Sequence, residues 1–159
     1  MSLGLKLYTY LHVVISLIGI GSGFVVLLGL LAANPLDGWT AVFLVTTVAT
    51  SVTGFFFPFE GFKPSYVVGI LSMIVLGLAI PARYSFDLAG AWRWIYVVSA
   101  MTAQYFNVFV LIVQAFQKVP ALKALAPTQR EAPFKIAQLA VLVVFVVLGA
   151  LAVIRFHVV

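Results

Sequence analysis

Charged side chains sit at the edges of five long uncharged stretches. No Asp, Glu, Lys or Arg occurs between Lys6 and Asp37, Asp37 and Glu60, Lys63 and Arg83, Arg93 and Lys118, or Lys135 and Arg155, gaps of 30, 22, 19, 24 and 19 residues. At ~1.5 Å per helical residue, even the shortest gap reaches about 28 Å, close to the thickness of a bilayer's hydrocarbon core. The pattern predicts an all-α integral membrane protein, a single domain folded as a bundle of five transmembrane helices. The spans are expected at about 7–31, 39–58, 64–82, 92–117 and 135–155.

The breaks between windows carry turn chemistry. Asn34-Pro35-Leu36-Asp37-Gly38 closes the first span, and Pro64 stands at the first-turn position of the third, where its missing N–H costs little. The first apolar run is roughly twice a signal peptide's core and is expected to remain as a span. The longest connection, 118–134, contains Pro120-Ala-Leu-Lys-Ala-Leu-Ala126, a candidate short amphipathic helix at the membrane interface. In the same loop Thr128-Gln-Arg-Glu131 matches a capping box, with Pro133 interrupting the turn it would start. Aromatic residues gather at span ends, among them Tyr8, Tyr10, Trp39, Tyr66, Tyr84, Trp92, Trp94 and Tyr96, as in the aromatic belts of membrane proteins.

Composition agrees. Of the 159 residues 64% are hydrophobic and 8% charged, and the mean hydropathy of +1.21 lies far above the soluble range. The net charge of +5 is spread over connections rather than gathered on one element, so no nucleic-acid partner is expected. The bilayer is the expected partner, with a homo-oligomer or a larger membrane complex as protein partners. There is no cysteine, which removes disulfides, thiol chemistry and Cys-ligated metals.

Lys and Arg divide unequally between the two sides. Lys6, Lys63, Lys118, Lys123, Arg130 and Lys135 share the N-terminal side, against Arg83, Arg93 and Arg155 opposite. The positive-inside rule then places the N-terminus in the cytoplasm and the C-terminus outside, in a cell (inner) membrane.

Polar residues inside the spans are the candidates for function. In the first span His12, Ser16, Gly19 and Gly23 share one helical face; in the fourth Gln104, Asn107, Leu111 and Gln114 do. Residues 73–81 and 139–154 contain no polar side chain, so hydrogen-bonding groups are expected to concentrate on the cytoplasmic side. If the two polar faces meet, His12, Ser16, Gln104, Asn107 and Gln114 line a pocket for a small amphipathic ligand: quinone, haem or lipid. His12 would offer a hydrogen bond or an iron ligand, while Lys63, Lys118 and Lys123 would attract an anionic headgroup. His157 falls on the other side and does not complete a haem site.

Two other readings stand beside this one. Gly19 and Gly23 form a Gly-x-x-x-Gly pair for close helix packing, and interspan amide bonds contribute roughly 0.6 kcal/mol each without any ligand. The chain would then be a structural or assembly subunit of a membrane complex. A channel or facilitator for a small neutral solute is the third, but it needs polar lining through the outer half. No carboxylate lies inside a span, which argues against proton relays, di-metal sites and Ser-His-acid hydrolysis, so a non-enzymatic role is expected.

Overall fold

The computed structural model describes residues 1–157 and is all-helical there. Six helices follow in order: α1 (Leu3–Leu31), α2 (Asp37–Phe55), α3 (Pro64–Tyr84), α4 (Ala91–Lys118), α5 (Pro120–Leu125) and α6 (Ala132–Arg155). All except α5 are long and apolar enough to cross a membrane.

Local chemistry sets the helix ends. The Ser2 side chain accepts the Leu5 N–H and caps α1. At its other end Ala33 takes a positive φ of 55°, Asn34 N–H donates to the Gly29 carbonyl at 2.8 Å, and Pro35 prevents continuation. α2 stops at Phe55, three residues before the window suggests, since Pro58 lacks the N–H that continuing the helix would need. α3 runs past Pro81 to Tyr84, two residues beyond the expected end, and Arg83 is buried in the bundle. The connection after α4 does contain a short helix, α5. Glu131 is the N-cap residue of α6; its carboxylate accepts from the Thr128 N–H and hydroxyl, but the helix begins at Ala132 rather than beside Thr128.

Each apolar helix packs on its chain neighbour: α1 on α2, α2 on α3, α3 on α4, α4 on α6. α6 returns to α1, and α1 also touches α4 across the ring. α4 is the most enclosed, with 44% of its apolar window buried against 11% for α6. Because α4 faces four other helices, most of the buried polar groups discussed below either lie on it or face it.

α2 contains Thr46, Thr47, Thr50 and Thr53, an unusual density for an apolar helix. The hydroxyls of Thr46, Thr50 and Thr53 donate back to the carbonyls of Val42, Thr46 and Ala49 at 2.6, 2.8 and 2.7 Å. Satisfied within their own helix, these side chains need no water.

The apolar core lies toward the end where α1 finishes and α4 begins. Val26, Leu27, Leu30, Phe43, Leu76, Ala79, Tyr96, Val97, Ala100 and Phe156 are buried together there. Arg93 fastens α6 at this end, donating from Nη1 to the Val153 and Phe156 carbonyls at 2.7 Å each. The N-terminal end closes instead through aromatic contacts: Phe57 packs edge-on against Tyr8 and His12, and Phe116 against Phe134.

Candidate functional site

α1 and α2 form an antiparallel hairpin whose register decides what His12 meets. Tyr8 faces Phe57, His12 faces Thr53 and Gly19 faces Thr46, pairs whose residue numbers add to one constant. His12 Nδ1 lies 2.7 Å from Thr53 Oγ1, and the Tyr8 hydroxyl donates to the Thr53 carbonyl at 2.6 Å.

The Thr53 hydroxyl determines where the imidazole proton is. Thr53 Oγ1 lies 2.7 Å from the Ala49 carbonyl oxygen, and two oxygens at that distance need a proton between them. A hydroxyl has one proton, so toward His12 the Thr53 oxygen accepts and Nδ1–H donates. The neutral ring then carries its lone pair on Nε2. That nitrogen has no hydrogen-bond partner among the described residues and is not sealed off from the surface. The ring is half-buried, with Gly54 next to its Cε1 edge: a Cβ added there would stand 3.6 Å away.

Gln104 occupies the middle of α4 and is fully buried. Its Nε2 donates to the Ile20 carbonyl at 2.8 Å, and its amide fills the space a side chain at position 23 would take. A Cβ on Gly23 would come within 2.0 Å of Gln104 Oε1. Asn107 Nδ2 donates to Thr47 Oγ1 at 3.2 Å and approaches Gln104 Oε1 at 3.4 Å. Helices α1, α2 and α4 are thus joined by one amide layer.

The structure brings the two polar faces together only in part. Gln104 meets α1 at Ile20 and Gly23, and Asn107 reaches α2. No hydrogen bond joins His12 to Asn107 or Gln114. The Ser16 hydroxyl donates to the carbonyl of His12 in its own helix, and half-buried Gln114 makes no side-chain bond among the described residues. Gly19 lies against Thr46 and Thr47, where an added Cβ would stand 3.3 and 3.4 Å from their hydroxyl oxygens. Among the described residues no group of three or more His, Asp or Glu side chains is placed to hold a metal ion.

A second polar group, at the opposite end, is absent from the sequence-derived candidates. Arg83 is 7% exposed, and its Nη2 donates to the Asp37 carboxylate and to the Pro35 carbonyl. Its guanidinium carbon lies 5.4 Å from the centre of the fully buried Tyr96 ring. Thr40, also buried, donates to Pro35 O at 2.9 Å. Both Thr40 and Arg83 come near the Tyr96 hydroxyl without reaching hydrogen-bond geometry. Three buried side-chain polar atoms have no partner among the described residues: Arg83 Nη1, Tyr96 Oη and, elsewhere, Gln138 Oε1. As a cation two residues after Pro81, Arg83 reads in sequence as a loop residue; α3 instead continues through it to Tyr84 and buries it.

Two clefts open on the surface. One lies beside α5, lined by Phe116, Gln117, Lys123, Pro127, Thr128 and Gln129. The other, of about 410 Å³, is apolar and runs between α2 and α3 along Ala41, Leu44, Val45, Val48, Ile80 and Tyr84.

Comparison of the chain with protein-family models, with curated proteins and with solved structures returns no match.

Proposed function

We propose that the chain is a non-enzymatic, multi-pass protein of the inner membrane that binds a small amphipathic ligand at the end of the bundle where α1 starts. With the N-terminus in the cytoplasm, as the Lys and Arg bias indicates, this end faces the cytoplasmic leaflet. The observation that carries the reading is His12. Its Nδ1–H is held by Thr53 while its Nε2 lone pair is accessible and unpartnered. A histidine that ligates a metal or takes a proton is commonly oriented through its other nitrogen in this way.

A lone pair on Nε2 constrains the ligand's chemistry. It accepts a hydrogen bond from a hydroxyl, as on a quinol or a hydroxyl-bearing lipid, or coordinates haem iron. It cannot hold a quinone carbonyl, which offers no proton. A haem would take one axial ligand from this chain, since His157 lies at the far end of the bundle. Lys63, Lys118 and Lys123 belong to the same face and favour an anionic headgroup.

A structural-subunit reading is favoured by a different observation. Both donor bonds of the Gln104–Asn107 layer end on groups of this chain, so those amides and Gly23 are explained by helix packing alone.

The test is an absorbance spectrum and an organic extraction of gently purified protein, repeated on His12→Ala and Thr53→Val. A Soret band or a stoichiometric hydroxyl-bearing lipid, lost in His12→Ala and depleted in Thr53→Val, is expected. Colourless, ligand-free wild-type protein would leave only the structural reading.

A further inference from the structure

The α2–α3 cleft and the buried arginine beside it lie at the other end of the bundle from His12. Thr40 is one turn before Leu44 on α2, and Arg83 is one turn after Ile80 on α3. Leu44 and Ile80 line the cleft, so the polar cluster stands at its end. Tyr84 both lines the cleft and lies beside Arg83, its ring centre 5.9 Å from the guanidinium carbon. Tyr84 is 53% exposed, on the last turn of α3.

Beside Tyr84 are two buried atoms that make no hydrogen bond of normal geometry. Arg83 uses Nη2 on Asp37 and Pro35, leaving Nη1 buried and unpaired; the Tyr96 hydroxyl is buried and unpaired on the neighbouring helix. Leaving a buried donor unsatisfied is costly, and more so for a charged group. An apolar channel ending in convergent donors is the usual form of a site for an oily molecule with one polar end.

We infer that the α2–α3 cleft, with Arg83 and Tyr96 at its end, forms a second binding site, for an amphiphile whose hydrocarbon chain lies in the cleft. A carbonyl oxygen at its polar end accepts from Arg83 Nη1–H and Tyr96 O–H once Tyr84 swings aside. Its polarity is the reverse of that at His12: this end supplies protons and requires an acceptor. The neutralised Arg83–Asp37 pair favours an uncharged carbonyl over a free carboxylate, because Asp37 already provides the guanidinium's counter-charge. The inference stands independently of the ligand proposed at His12.

The experiment uses full-length protein in lipid nanodiscs and, as probe, a benzoquinone bearing a decyl chain. Trp39 at the start of α2 and Trp92 and Trp94 at the start of α4 are the only tryptophans, all at this end, so quinone quenching of their fluorescence reports occupancy there. A saturable quenching component is expected above the linear background of partitioning. Tyr96→Phe should weaken it about tenfold, the loss of one bond to a buried donor. Tyr105→Phe, nine residues further along α4 than Tyr96, should leave it unchanged, and decylbenzene, which lacks the carbonyl, should not compete.

Tyr96→Phe removes only a buried, unpartnered hydroxyl and should keep or raise the wild-type thermal midpoint. Independently of any variant, a carbonyl-labelled probe on the wild type should show a second infrared band at lower frequency, from the hydrogen-bonded population. Unchanged affinity in folded Tyr96→Phe, equal competition by decylbenzene, or a single unshifted carbonyl band would each overturn the inference.

Discussion

Gln104 and Arg83 are both buried polar side chains on helices long enough to cross a membrane, and the bundle treats them differently. Gln104 is met by a backbone carbonyl on α1, by Asn107 on its own helix, and by a glycine that makes room for it. Arg83 is paired on one nitrogen and left without an acceptor on the other, next to a tyrosine hydroxyl in the same condition. Where polar groups are closed on one another they hold helices together, and the layer needs nothing more. Where buried polar atoms are left without a hydrogen bond, the fold bears a cost, and the site proposed at the end of the α2–α3 cleft is one reason to retain it. His12 lies between these cases: one nitrogen is fixed from within, the other is free.

The largest effect is expected from disturbing the closed layer. In Gly23→Ala the new methyl would sit on Gln104 Oε1, so the buried amide must swing away from its place against α1. Gln104 would lose the Ile20 carbonyl and strain α1 against α4, at a cost of about 3 kcal/mol. Unfolding in mild detergent should show the loss, and Gly23→Ala with Gln104→Ala should recover part of it, since the two act through one contact. A Gly23→Ala protein as stable as the wild type would mean that the layer does not fasten α1 to α4.

Much of this arrangement was legible in the sequence, and its limits have physical causes. Five uncharged windows give five apolar helices because a lipid-facing helix tolerates charge only at its ends. The stripe containing Gln104 and Asn107 was visible as a spacing of three, and Gly23 as half of a small-residue pair. What the spacing could not supply was the partner of each. A helical face points toward some neighbour, and only the hairpin register, set by the tight 32–36 connection, turns His12 to Thr53 rather than to Asn107. Arg83 was hidden for another reason. After Pro81 a cation normally marks the end of a span, and here α3 continues through it to Tyr84. The expectation that strong hydrogen-bonding groups gather on the N-terminal side therefore overlooked Arg83, Tyr96 and Thr40.

A smaller effect should come from the exposed half of the Arg83 pair. Asp37 stands 86% exposed at the start of α2, while the guanidinium it neutralises is buried. Replacing it in Asp37→Asn leaves Arg83 with less compensation; because solvent reaches Asp37, the cost is discounted from that of a fully buried pair to about 1 kcal/mol. The loss should grow smaller as salt is raised if the carboxylate acts through its charge. A salt-independent loss would instead assign its role to hydrogen bonding at the start of α2.

The smallest effect belongs to the loop before α6, where a polar group is wrapped by partners in open solvent rather than in the bundle. The Thr128 hydroxyl donates to the Glu131 carboxylate at 2.7 Å, and the N–H groups of Thr128 and Arg130 donate as well. The hydroxyl bond is the main reason this carboxyl is held below its usual range, with the backbone donors adding to it. A depressed carboxylate stabilises the folded loop above its unfolded value of about 4.3, and the contribution disappears as pH falls through the lower, folded value. The Thr128 amide proton shift should therefore titrate with a midpoint below that of an ordinary glutamate, and Glu131→Gln should abolish the titration while α6 still forms from Ala132. A midpoint at the ordinary value would show that the three donors do not hold the charge in solution. Acid sensitivity at this end would then have to come from elsewhere.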